Sequence, residues 1–198
     1  MLRIRTQAGF TLLELVVVMA IAAILLAAAI PQFQQMAVAS ARAQGGTLML
    51  SAFNQARSEA IARNGNVVVC RRNYFTSSTF PVCDMSTSGT WAQGWIVYRD
   101  SDTSIDSAEP DAAADIIAVF EPVGRVTATG EGNAFTIVPA GNPAYLVFAS
   151  NGRATQALSF TLCDASHRLS DSRRVEIAPS GYVSLRALDA TTTASLCG

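Results

Sequence analysis

The chain changes its hydrophobic rhythm twice. Residues 10–30, "FTLLELVVVMAIAAILLAAAI", are apolar in every helical direction, and Glu14 is the one charged residue among them. As a helix rising about 1.5 Å per residue the run reaches about 31 Å, the thickness of a bilayer's hydrocarbon core. Beyond it, small apolar and polar residues alternate with a helical period. Met49, Phe53, Ala56 and Ala60 share one face, Arg57 lies on another, and Glu59 precedes Arg63 by one turn. Pro31 removes a backbone donor and is expected to kink or loosen the helix. Gly45 and Gly46 weaken it by about 1 kcal/mol each, and Asn64-Gly65 ends it.

From Asn66 the period moves toward two. "NVVVC", "GWIVYRD", "DIIAVFEP", "AFTIVP", "YLVFAS", "LSFTLCD", "RVEIAP" and "GYVSLRA" are short β-prone runs separated by Gly, Pro, Asn, Asp and Ser. Leu158, Phe160 and Leu162 alternate with Ser159 and Thr161, and Val175 and Ile177 flank Glu176, as antiparallel strands with one wet face require. Pro179 to Gly181 turns the last pair into a hairpin. Helix first and strands afterwards predicts an α+β fold, with antiparallel sheet packed on the distal half of one long N-terminal helix.

Charge explains more of the first segment. A carboxylate inside an apolar run costs roughly 2.5–3.5 kcal/mol on insertion scales, so Glu14 needs a partner. The leader "MLRIRTQAG" carries two arginines and no acid, which holds it on the cytoplasmic side of a membrane and sends the rest of the chain outward. An ordinary secretory signal is the competing reading, with "LAAAIPQ" supplying a cleavage site near Ala29 and a secreted binding module left behind. The mature N-terminal residue separates the two.

The four cysteines have no C-x-x-C spacing and one histidine, His167, to help them, so behind an export segment they read as disulfides. Of three connectivities, Cys70 with Cys83 and Cys163 with Cys197 is expected. The polar loop after Cys70 returns locally to Cys83, and Cys197 fastens a tail with little apolar content beside the strand ending at Cys163.

"GFTLLEL" resembles the leader junction of type IV pilins and type II secretion pseudopilins. The resemblance implies cleavage between Gly9 and Phe10 by a membrane prepilin peptidase and N-methylation of Phe10. Glu14 then meets the terminal amine of a neighbouring subunit during assembly, which supplies the missing partner and sets axial register. The same carboxylate also complements the positive end of its own helix. "ARSEAIARNGNVVVC", "WAQGWIVYRD", "FASNGRA" and "CDASHRLSDSRRVEIAPSGYVSL" are similar in wording and order to the GspH/FimT family of minor pilins and pseudopilins. That resemblance implies a type IV pilin-like fold and a structural subunit that helps to initiate or cap a pilus or pseudopilus. Its partners are other major and minor pilins or pseudopilins and the inner membrane. The globular domain is periplasmic before assembly and at the fibre tip afterwards. The expected divisions are a leader over 1–9, a transmembrane and assembly helix over 10–30, its amphipathic continuation over 31–64, with Pro31 at the junction, and a β-rich domain over 65–198.

Some members of the branch bind DNA through a Gly-Arg-x-Arg pattern near the C-terminus. The matching place here, Gly181 to Ser184, lacks both arginines. Arg173, Arg174 and Arg186 stand nearby, and Tyr182 offers a ring for stacking on a base, so these four are the nucleic-acid alternative. Without the leader the chain holds 12 arginines against 15 acids, which argues against a polyanion partner. Six acids gather between Arg99 and Asp115 in what reads as an exposed loop. Asp100, Asp102 and Asp106 have the spacing of calcium ligands but lack the central glycine and closing glutamate. No cofactor, metal or catalysis is expected, because nothing groups a nucleophile with a base.

Overall fold

The computed structural model describes residues 11–73, 78–87, 89–100, 110, 113–121, 135–164, 172–189, 192 and 196–197, with no side-chain description for 28–32, 34, 35, 38 and 164. The chain divides into two compact units, Met1–Ala37 and Val38–Gly198. Helix α1, Leu12–Arg63, contributes to both and is assigned without a break through Pro31, Gly45 and Gly46. Its end is a Schellman motif: Asn64 N–H donates to Ile61 O and Gly65 N–H to Ala60 O. The left-handed residue there is Asn64, at φ 51°, so the asparagine rather than the glycine makes the stop.

In the second unit all eight β-prone runs form strands, and they build two antiparallel sheets. The strands are β1 (Val67–Arg71), β2 (Trp95–Arg99), β3 (Ile116–Phe120), β4 (Phe135–Pro139), β5 (Tyr145–Phe148), β6 (Leu158–Asp164), β7 (Arg173–Ile177) and β8 (Val183–Ala187). The first sheet has the order β3-β2-β1-β5 and the second β4-β6-β7-β8, antiparallel throughout. One core joins them. Met49, Ala52, Phe53, Ala56 and Ala60 of α1 are buried together with Val69, Val97 and Leu146 of the first sheet and Ile137, Phe160 and Val175 of the second. Phe53 stacks on Phe160 at 5.3 Å between ring centres and also reaches Phe148 and Trp91. Gly45 and Gly46 have a packing reason. A Cβ on Gly45 would stand 2.8 Å from Phe135 Cζ, and one on Gly46 3.2 Å from Leu185 Cδ1, so bare backbone lets the second sheet come close.

Strand alternation then assigns the outer faces. Val68, Cys70, Ile96, Tyr98 and Val147 form a second buried cluster on the outer side of the first sheet, and Cys83 is added to it by a chain that returns antiparallel to Arg71 and Arg72. Cys70 is bonded to Cys83, and Cys163, on the outer side of the second sheet, to Cys197. Each bridge therefore fastens a segment of weak apolar content over a sheet face. Closing 13 and 34 residues of sequence separation stabilises by about 3 and about 4 kcal/mol respectively in the chain-entropy model. Removing the Cys163–Cys197 bridge by double serine substitution is expected to lower stability by about 2–4 kcal/mol in urea unfolding. An unchanged midpoint would show that the tail is held by other contacts.

Candidate functional site

The N-terminal segment is the first candidate. Gly9 and Phe10 lie outside the described residues. Thr11 caps α1: its Oγ1 accepts the N–H of Glu14 at 3.2 Å, and its carbonyl accepts that of Leu15. Sequence reasoning missed Thr11, although "TLLE" carries the Thr-x-x-Glu pattern of a capping box immediately before an apolar run. The cap places the Glu14 carboxylate in the first turn, where unpaired N–H groups make the helix end positive. Around it, Leu12, Leu13, Val16, Val17, Ile24 and Leu25 are all exposed, Leu12 by 80%. A continuous apolar surface of that kind marks contact with lipid or protein. Among the described residues no helix is long and apolar enough to cross a membrane, the side chains of the run being described only as far as Ala27.

The second candidate is the outer face of the second sheet. Period-two alternation in β7 separates the paired arginines. Arg173 shares the side of Val175 and Ile177, which are buried in the core, while Arg174 and Glu176 face outward. The nucleic-acid grouping read from sequence is thus divided: Arg174, Tyr182 and Arg186 come together, and Arg173 does not join them. Arg174 stands directly opposite Arg186 in the register of β7 and β8. Glu176 lies between them, its Oε1 3.5 Å from Arg174 Nε and its Oε2 3.5 Å from Arg186 Nε. Arg174 Nη2 donates to Ser159 Oγ at 2.7 Å. These groups and Ser184 wall a groove of about 380 Å³ whose floor includes Ala157, Leu158 and Ala178, with Tyr182 on its rim, 62% exposed. The carboxylate neutralises one of the two guanidiniums, which disfavours a run of phosphates.

An ion pair joins the two ends of the acidic segment. Asp115 is buried and accepts from Arg99 Nη2 at 2.8 Å. Asp102, Asp106 and His167 lie outside the described residues, and among the described residues no group of three or more His, Cys, Asp or Glu is arranged to hold a metal ion.

Arg71 is a further residue that the sequence did not single out. Almost fully buried, it donates Nε to Asp84 O at 3.2 Å, Nη1 to Gly89 O at 2.7 Å and to Asn142 Oδ1 at 3.2 Å, and Nη2 to Ser86 O. Burial pushes its guanidinium below the ordinary value, and nearby Asp84 draws it back up. It holds the segment after Cys83 in place beside the first disulfide. Nothing in "CRRN" distinguishes Arg71 from Arg72 except strand parity.

The fold is that of a type IV pilin-like subunit. It is similar to the crystal structure of the type IV minor pilin FimU of Pseudomonas aeruginosa, with a TM-score of 0.52 at 14% identity over 74% of this chain and 92% of that chain. The minor pseudopilin EpsH of the Vibrio cholerae type 2 secretion system gives 0.48 at 11% identity, over 74% and 96%. The family model described as type II transport protein GspH matches residues 46–181, and the prokaryotic N-terminal methylation motif matches residues 4–30. The chain belongs to the GspH family. No curated protein matches it.

Proposed function

We propose that this protein is a minor subunit of a type IV pilus or of a type II secretion pseudopilus, helping to start or cap the fibre. The observation that carries the reading is the presence in one chain of the GspH family match over 46–181 and the N-terminal methylation motif over 4–30. Prepilin peptidase cuts after Gly9 and the new terminus at Phe10 is methylated. Residues 10–30 hold the subunit in the inner membrane, and residues 31–64 carry the helix on to the periplasmic β-rich domain. On assembly, the apolar side chains around Glu14 exchange lipid for the helices of other pilins or pseudopilins. The Glu14 carboxylate pairs with a neighbour's terminal amine, and a subunit out of register leaves both charges unpaired in an apolar setting, at several kcal/mol. The bond from Glu14 N–H to Thr11 Oγ1 keeps Glu14 in the first helical turn.

Glu14→Ala is expected to insert and to be processed normally, giving an intact mass that begins at methylated Phe10, yet to fall about tenfold or more in sheared fibres. A mature chain beginning near Ile30 would overturn this function, and the variant at parental abundance in fibres would overturn the register role of Glu14.

A further inference from the structure

β8 closes the second sheet on one side only, and its backbone pattern shows what that edge offers. Ala178 N–H donates to Tyr182 O and Leu188 N–H to Ser172 O. These bonds mark 178/182 and 172/188 as hydrogen-bonded pairs, and the unbroken register puts Glu176/Ser184 and Arg174/Arg186 in the same set. Tyr182, Ser184 and Arg186 therefore turn their backbone groups toward β7. Val183, Leu185 and Ala187 turn theirs away, and among the described residues no backbone group meets them. The strand has no proline, and its five pairs run without a bulge, the usual devices that blunt an edge.

Among the described residues, the groove beside this edge holds two guanidiniums and one carboxylate. Two guanidiniums face each other across β7 and β8, an arrangement that repels unless compensated. A single carboxylate serves both at 3.5 Å, well beyond the roughly 2.7–2.9 Å of a charge-assisted hydrogen bond. Arg174 Nε is buried and has no hydrogen-bond acceptor among the described residues, while Arg186 is 69% exposed. Together these features specify a ligand with alternating main-chain donors and acceptors and one acid at a defined position.

We propose that the free edge of β8 takes an extended segment of an adjoining subunit as a fifth strand, with an acidic side chain opposite Arg186 and an apolar or aromatic one two positions away. The source in an adjoining subunit rests on the function proposed above; the chemistry of the edge does not. Opposite Arg186, the incoming carboxylate supplies a second negative charge at cross-strand distance. Two positions along, the next outward side chain lies opposite Ser184 and within diagonal reach of the Tyr182 ring. Main-chain bonds give the affinity, and the outward pair gives the selectivity. A nucleic acid has no use for the backbone groups of Val183, Leu185 and Ala187, and Glu176 repels its phosphates.

The test uses the full chain in detergent micelles, without fibre machinery, and a fluorescent peptide, Ser-Val-Asp-Val-Leu-Val-Ser, followed by polarisation. Saturable binding is expected, lost when alternate peptide amides are N-methylated and weakened about tenfold or more by Arg186→Glu. Replacing the peptide's aspartate by arginine restores binding to Arg186→Glu, an outcome that a misfolded variant cannot produce. The proposal is overturned by no saturable binding, by equal affinity for Arg186→Glu or for the N-methylated peptide, or by displacement of the peptide by oligothymidylate with no reversal on charge exchange. Peptide binding together with a mature chain that begins near Ile30 and is absent from sheared fibres would leave the edge site standing and remove the fibre reading.

Discussion

Gly181→Ala is expected to be among the most damaging single substitutions in the β-rich domain, lowering stability by about 4 kcal/mol or more. Gly181 sits at φ 77° in the turn before β8, a conformation that alone costs an alanine about 1–2 kcal/mol. The larger cost is contact: a Cβ there would stand 1.8 Å from the carbonyl oxygen of Gly152. That atom cannot swing aside as a side chain does. Gly152 is itself left-handed, its N–H donates to Ala149 O at 2.8 Å, and its carbonyl accepts Arg57 Nε at 3.2 Å. Two turns, one after each sheet's strand, thus meet backbone to backbone under the end of α1. Gly141→Ala is the control: its φ is 75°, but no atom lies within 4 Å of the added Cβ, so only the conformational cost of about 1–2 kcal/mol applies. Urea unfolding of both variants checks the argument. A Gly181→Ala loss no greater than that of Gly141→Ala would mean that the turns separate freely.

Arg71→Met should cost about 3–5 kcal/mol. The substitution keeps much of the stem but leaves the carbonyls of Asp84, Ser86 and Gly89 and the side chain of Asn142 without their shared donor. Arg71→Lys should fall between, because an ammonium supplies charge without the planar spread that reaches acceptors on two different turns. Combined with serine at Cys70 and Cys83, Arg71→Met should lose less than the sum of the separate effects, since both fasten the segment that follows Cys83. Urea midpoints of the three variants measure this. An Arg71→Met loss below about 1 kcal/mol would show that water replaces the guanidinium at those carbonyls.

Both predictions concern contacts that no local pattern points to, and the reason is physical. Helical and strand periods are properties of neighbouring residues, so Met49, Phe53, Ala56 and Ala60 and each of the eight strand runs were legible. Turn chemistry is nearly as local, which made the Pro179 to Gly181 hairpin legible too. The capping pattern at Thr11, Thr-x-x-Glu, is equally local. What escaped is non-local. Arg173 and Arg174 look alike in a row, yet a strand sends one toward the core and the other outward. Whether an outward Arg174 meets Arg186 depends on the register of β8.

The sequence by itself determined the class of this protein. The N-terminal methylation motif with its "GFTLLEL" stretch, the 21-residue run with one charge, the change of period at Asn66 and four cysteines without metal-ligand spacing are each written in adjacent residues. Tertiary structure alone decided that the strands divide into two sheets and that Gly45, Gly46, Gly152 and Gly181 are places of close approach. It also decided that Arg71 is a buried hub and that Glu176 is shared by two arginines beside a free edge. These facts depend on distances between residues far apart in the chain, which side-chain volume and strand register determine and local pattern does not.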